Sequence, residues 1–299
     1  MKAYIQRNRQ RALAITMIIV IIFLNIFGVR FGFDLILVTF GIFTLFRGES
    51  STFVKDWWKP IVLFFTYEFL RGRAYRWGHA LFGFEPIYQG LITFEEKVFF
   101  FMDQIPPVFL QQTLRPDISV IHWYDYVLFF FYTSFFWYWL AIAFAIWMKR
   151  RHLFNKYMYG LVGFSIFSCF IFFFLPSAPP WAASQNGLIE PLERILWTSQ
   201  YLPSQGLNIV STYGQNDFAA MPSHHAAWPF FATLFLIKAF GKKFIPFMLV
   251  PLTIAFATWY GAEHYVVDSL VGFAIATSAF LIVTKTNLFE YKTVTPKSN

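Results

Sequence analysis

Three side chains carry the chemistry this sequence can perform: His225, His264 and Asp268. The spacing His264-x-x-x-Asp268 is an i,i+4 pair, which on a helix puts both groups on one face, a turn apart. A carboxylate in that place holds one imidazole nitrogen, fixes the tautomer and leaves the other nitrogen as a nucleophile. His225 is then available to protonate a leaving oxygen. Ser223 and the backbone N–H groups of the helix that follows it form a cradle for a phosphate. Together these groups describe phosphoryl transfer through a phosphohistidine. Each part alone is weak, because H-x-x-x-D arises by chance on helices and a Ser after Pro is an ordinary N-cap. The informative fact is that both fall at corresponding helix mouths, separated by one helical hairpin.

The elements that must position these residues are membrane helices. Of 299 residues, 57% are hydrophobic and 13% charged, against roughly 25% charged in a soluble domain. The 42 Phe suit lipid-facing and interhelical packing, and the Trp and Tyr suit headgroup belts. The single cysteine, Cys169, excludes an intrachain disulfide. A spanning helix needs about 20 apolar residues. Eight segments meet or approach that length: about Ala12–Val29, Phe31–Phe46, Trp57–Leu70, Ile121–Trp147, Leu153–Leu175, His225–Phe240, Phe244–Tyr260 and Tyr265–Val283. No small-residue cleavage site follows Val29, so the first is expected to be a retained helix.

The expected fold is therefore all-α, a polytopic membrane bundle of about eight helices. Residues 1–50 form two accessory N-terminal helices, 51–285 a six-helix catalytic core with two caps, and 286–299 a tail. The caps are the long polar stretches Gly72–Val120 and Pro176–Ser223. Within the first, Phe94–Leu114 is apolar but interrupted by Pro106 and Pro107, and reads as an interfacial helix lying on the membrane.

Charge sets the expected orientation. The formal net charge of +8 belongs to the loops of one side rather than to a nucleic-acid surface. With the N-terminus inside, only Arg30, Arg71, Arg73, Arg76, Lys97, Arg115 and Arg194 fall outside, seven of the 24 basic residues, spread over the longer loops. Both termini are then cytoplasmic, and the caps and the His–Asp cluster face out, in the plasma membrane. Ionisable groups at membrane depth are costly and mark functional sites.

The motifs resemble those of the type-2 phosphatidic acid phosphatase superfamily. Met221-Pro222-Ser223-His224-His225 resembles its P-S-x-H motif, and His264-Tyr265-Val266-Val267-Asp268 its H-x-x-x-D motif. The branch containing inositol phosphorylceramide synthase is the most similar in wording. The likeness covers Trp57 to Lys285. It implies His264 as nucleophile, Asp268 as its orienting carboxylate, His225 as acid, Ser223 as phosphate ligand, and chemistry without a metal or other cofactor.

Two departures matter. Where the phosphatases carry K-x6-R-P, this chain reads Pro176-Ser177-Ala178-Pro179-Pro180, and where they carry Arg six positions before the histidine it has Thr258. The pair Arg115-Pro116 has Val108 seven residues earlier and precedes the wrong helix. Arg71 is the first candidate for gripping phosphate, with Glu68 on its helix face; Arg194 and Arg115 follow. His224 fills the variable position of P-S-x-H, as a second acid or a filler. Asp125, with His122, starts a helix, where it caps or meets a headgroup hydroxyl.

The leading expectation is an enzyme of the lipid phosphatase or phosphotransferase class, with a phospholipid or polyprenyl phosphate as substrate and partner. The missing bases tilt it towards transfer of an inositol phosphate-like headgroup, since a diester carries less charge than a monoester. A plain phosphatidic acid or polyprenyl (di)phosphate phosphatase is the alternative. Other classes are a metal-binding transporter, with zinc on His224, His225, His264 and Asp268, and a non-catalytic scaffold.

Overall fold

The computed structural model describes residues 33–117, 119–197 and 215–290, besides Asn8, Ala12, Ile15 and Thr16. Apart from Ala12, Ile15 and Thr16, the span expected at Ala12–Val29 lies outside the described residues, as does the tail beyond residue 290. From residue 33 on, the described residues form these α-helices in order: α1 (Phe33–Arg47), α2 (Ser50–Phe82), α3 (Gln89–Val98), α4 (Pro106–Leu114), α5 (Trp123–Lys149), α6 (Arg151–Phe174), α7 (Pro180–Gln185), α8 (His224–Phe240), α9 (Leu249–Tyr260) and α10 (Val266–Lys285). Among the described residues there is no strand, only the single bridges Ile87–Ser177 and Ser177–Ala219.

Among the described residues, four helical stretches are long and apolar enough to cross a membrane: Trp123–Lys149, Arg151–Phe174, Lys242–Tyr260 and Val266–Lys285. The chain is an all-α membrane bundle. Of the other expected spans, the second is a 15-residue helix, α1. The third lies inside the 33-residue α2. The sixth is the 17-residue α8, about 26 Å long at 1.5 Å per residue. It packs against α5, α6, α9 and α10.

The chain divides into two compact units, Met1–Arg73 with Trp197–Asn216, and Ala74–Leu196 with Asp217–Asn299. In the first, Trp57 is buried and packs against Phe53 and Phe40. In the same unit Arg71 donates to Glu68 Oε2 at 2.8 Å, and the Arg71 carbonyl accepts from Asn216.

The second unit holds the bundle. Without water in the hydrocarbon region, every polar group there needs a partner in the protein. Tyr138 and Thr233 join α5 to α8 at 2.9 Å, the Trp228 indole donates to Ser165 Oγ at 2.9 Å, and the Tyr157 hydroxyl donates to the Trp139 carbonyl at 2.6 Å. Around these pairs, Phe231 and Phe235 of α8 meet Tyr157 of α6. The α5–α6 hairpin turns at Arg150, whose Nε donates to the Ala239 carbonyl. Pro176 lies just past the C-cap of α6, and α8 stops at Gly241 with φ 98°, a conformation open to glycine.

The first cap differs from its expected form. It is two helices, α3 and α4, not one interrupted interfacial helix. Pro106 and Pro107 open α4, where a missing N–H costs nothing. Leu91 and Ile92 of α3, Ile105 at the N-cap of α4 and Val108 within it join Tyr265 and Val267 in a small buried core. The cap is thereby fastened to the start of α10.

Candidate active site

The site is assembled where α8 and α10 begin. Ser223 is the N-cap of α8 and its Oγ accepts from the Ala226 N–H at 3.3 Å. The Ser223 N–H in turn donates to the Asp268 carbonyl at 3.0 Å. This bond lays the Pro-Ser-His-His segment against the first turn of α10. Gly272 makes the approach possible: a Cβ there would stand 2.5 Å from the Ser223 carbonyl oxygen. A second tether comes from Ser177, whose hydroxyl accepts from the Met221 N–H at 2.7 Å, while its backbone exchanges bonds with Phe218 and Ala220.

The two motifs meet in a row of three groups. His264 Nδ1 lies 3.5 Å from Asp268 Oδ2, with both side chains buried. That Oδ2 also accepts from the Tyr265 N–H at 2.9 Å, so the carboxylate caps the helix and faces the imidazole at once. On the opposite edge of the ring, His264 Nε2 lies 3.1 Å from His225 Nδ1. The His225 ring stacks on Tyr132 at 5.2 Å and leans on Phe135 at 4.3 Å, both from α5. Sequence reasoning passed over these two aromatics because nothing distinguishes them from the other aromatic residues of α5.

The loop that delivers His264 is itself braced. The Glu263 and His264 N–H groups both donate to the carbonyl of Thr258, the residue standing where an arginine was expected. Ala262 takes a left-handed φ of 59°, and its carbonyl accepts from the Trp181 N–H.

His224 points elsewhere. Its ring stacks on Trp228 and packs against Phe172 and Phe164, and it is buried. The structure therefore gathers His225, not His224, to His264. Among the described residues no group of three or more His, Cys, Asp or Glu side chains converges as metal ligands. Asp268, His264 and His225 follow one another in a row.

The candidate cations separate in the same way. Arg194 donates from Nε and Nη2 to the two oxygens of Glu263, at 2.8 and 2.9 Å, and lies over the Trp181 ring at 4.4 Å. Glu263 precedes His264, so Arg194 is held next to the nucleophile candidate. Arg115 is buried with Asp125, 3.8 Å away. Asp125 also accepts from the His122 N–H at 2.8 Å and from the Tyr260 hydroxyl. Those two residues belong to the bracing of the α9 end. Arg71 belongs to the first unit, in its pair with Glu68.

A family pattern described as the PAP2 superfamily matches residues 90–282, more than half of the chain. The chain belongs to the PAP2 superfamily. It is also similar to the inositol phosphorylceramide synthase catalytic subunit aur1 of Schizosaccharomyces pombe, 28% identical over 140 residues, covering 43% of this chain and 32% of that protein. The chain thus matches about a third of that relative's length. No solved structure matches. The PAP2 match contains both motifs and every residue of the Asp268–His264–His225 row.

Proposed function

We propose that this protein is a membrane lipid phosphotransferase or phosphatase working through a phosphohistidine on His264. The observation that carries the reading is the row Asp268–His264–His225, in which one imidazole has a carboxylate on one nitrogen and a second imidazole on the other. Asp268 holds the Nδ1–H tautomer, and Nε2 then presents a lone pair. That nitrogen attacks phosphorus, the bond to the leaving oxygen breaks, and His225 supplies the proton that the leaving oxygen takes. In the second half His225 removes a proton from the acceptor hydroxyl, the new P–O bond forms and the P–N bond breaks. A water acceptor makes a phosphatase; a lipid hydroxyl makes a transferase.

The direct His225–His264 contact means that the phosphoryl group must enter between the two rings. Ser223, the N-cap of α8, and the N–H groups of His224 and His225 at the start of that helix are the phosphate donors in this reading. Arg194, fixed by Glu263, is the cation nearest the site in sequence and contact, with Arg71 a further candidate. Few basic groups favour a diester substrate, and the likeness to a protein named for inositol phosphorylceramide synthesis favours transfer of an inositol phosphate-like headgroup. The site faces the outer leaflet of the plasma membrane by the distribution of Lys and Arg.

The test is incubation of purified protein with headgroup-radiolabelled phosphatidylinositol or with phosphatidic acid labelled in its phosphate, followed by trapping of an acid-labile phosphoenzyme. Labelled wild type with unlabelled His264→Ala supports the intermediate. Release of inorganic phosphate from phosphatidic acid as fast as any headgroup transfer would make the protein a plain phosphatase.

A further inference from the structure

The start of α10 has a second carboxylate that the motifs do not contain. A helix begins with N–H groups that lack partners within it. Here the N-cap residue is Tyr265, whose side chain caps nothing. Glu95 of α3 takes that place from 171 residues away: Oε1 accepts from the Val266 N–H at 2.7 Å and Oε2 from the Val267 N–H at 3.2 Å. Glu95 is completely buried. One residue further on, Asp268 closes back onto the Tyr265 N–H. Two carboxylates, one local and one remote, therefore hold the same helical turn.

A serine or asparagine at the N-cap would satisfy such groups with no buried charge. A buried carboxylate beside another is a costly alternative. Burial, outweighing the two N–H bonds, together with the neighbouring Asp268, pushes the Glu95 carboxyl up to about 7. Burial, Asp268 and Glu95 likewise push the Tyr265 phenol up. The titratable groups facing Glu95 are thus Asp268 and Tyr265, with Tyr88 beyond Tyr265. The adjoining cap core, Ile105, Val108, Ala183 and Leu192, brings no charge.

We propose that Glu95 is a positioning residue of the phosphotransfer site: as the carboxylate it pins Val266 and Val267 and so holds Asp268 against His264. The inference rests on His264 and Asp268 acting as proposed above. The Glu95 carboxylate spends its hydrogen bonds on helix N–H groups, so its loss acts on turnover rather than on substrate binding. Protonated Glu95 grips the two N–H groups less strongly, so turnover falls on the acid side of neutrality.

The experiment uses the full chain in detergent with fluorescent phosphatidylinositol and phosphatidic acid as probes. It compares wild type, Glu95→Gln, Glu95→Asp and Leu91→Ala, the last loosening α3 at a buried apolar position while keeping the carboxylate. Glu95→Gln is expected to lower kcat about 10- to 100-fold, the scale of a small misplacement of reacting groups. KM should stay put, the acid limb near neutrality should disappear, and Glu95→Asp should recover part of kcat. Leu91→Ala should keep the acid limb. Equal losses in Glu95→Gln and Leu91→Ala with unchanged pH profiles overturn the proposal. In parallel, diethyl pyrocarbonate labelling of His264 is followed against pH by mass spectrometry, which needs no turnover. If wild type processes neither lipid, the phosphotransfer reading fails on its own. A labelling profile displaced in Glu95→Gln then still supports the positioning role, and an undisplaced one overturns it. Should Glu95→Gln fail to fold, Glu95→Asp carries the same comparison.

Discussion

His225 Nδ1 lies 3.1 Å from His264 Nε2, although 39 residues separate them in the chain. The contact sets the proposed nucleophile, His264, directly against the proposed acid, His225. His264→Ala is expected to abolish both phosphoenzyme and turnover. His225→Ala should slow formation and breakdown of the intermediate together, by about 10²- to 10⁴-fold, the usual worth of a positioned acid–base group. Rapid-quench measurement of the labelled enzyme checks both, and a His225 variant that forms the intermediate at the normal rate would remove it from the acid role.

Gly272 allows the Ser223 carbonyl to sit where a Cβ would stand 2.5 Å away. Gly272→Ala should push the Pro-Ser-His-His segment off α10, at about 1–3 kcal/mol, the cost of overpacking. Activity should fall further than stability, because the Ser223–Asp268 tether and the His225–His264 contact depend on that approach. Melting temperature and kcat of one purified variant, measured together, decide it.

Arg194 is held bidentately by Glu263. If it grips the substrate phosphate, Arg194→Ala should raise KM tenfold or more, about 1.4 kcal/mol, whereas Arg194→Lys should recover only part, since an ammonium lacks the planar fork. Unchanged steady-state kinetics in Arg194→Ala would leave Arg71 as the cation to test.

Asp125 accepts from Tyr260 and pairs with Arg115 where all three are buried. Asp125→Ala leaves a buried guanidinium with its carboxylate gone, and should destabilise the bundle by about 3–5 kcal/mol. Replacing Arg115 and Asp125 together by leucine should cost much less. Thermal unfolding of the single and double variants in detergent measures the difference.

The Glu95 carboxyl, raised from 4.5 to about 7, favours folding in its protonated form. The stability it adds is fully present below about pH 4.5 and is lost as the pH rises through about 7. A difference of that size corresponds to about 3 kcal/mol. Wild type should therefore lose melting temperature relative to Glu95→Gln on going from acid to mildly alkaline buffer. A constant difference across that range would show that the group does not titrate there.

Much of the site was legible in residue types and spacing. The four-residue spacing singled out His264 and Asp268 as partners, but not on one helix face: His264 stands in the loop before Tyr265, the N-cap of α10, and Asp268 in the first turn reaches back to it. Ser223 was legible as N-cap, and so was the helical bundle, which follows from long apolar runs that hydrocarbon forces into helices. Glu95 could not be found this way. It lies in Thr93-Phe94-Glu95-Glu96-Lys97, and nothing local separates it from Glu96, whereas in space it meets two N–H groups 171 and 172 positions on. Ser177 is similar, a lone hydroxyl between prolines until Met221 is brought to it.

The sequence by itself determined which groups could do the chemistry and that membrane helices carry them, because helical periodicity and apolar length are local properties. Only the tertiary structure decided that His224 packs among Trp228, Phe172 and Phe164 away from His264, that Arg194 and not Arg115 stands beside the site through Glu263, and that Glu95 braces the turn holding Asp268. Those choices depend on how helices pack, and packing is set by close approaches such as that at Gly272, between residues that no spacing rule connects.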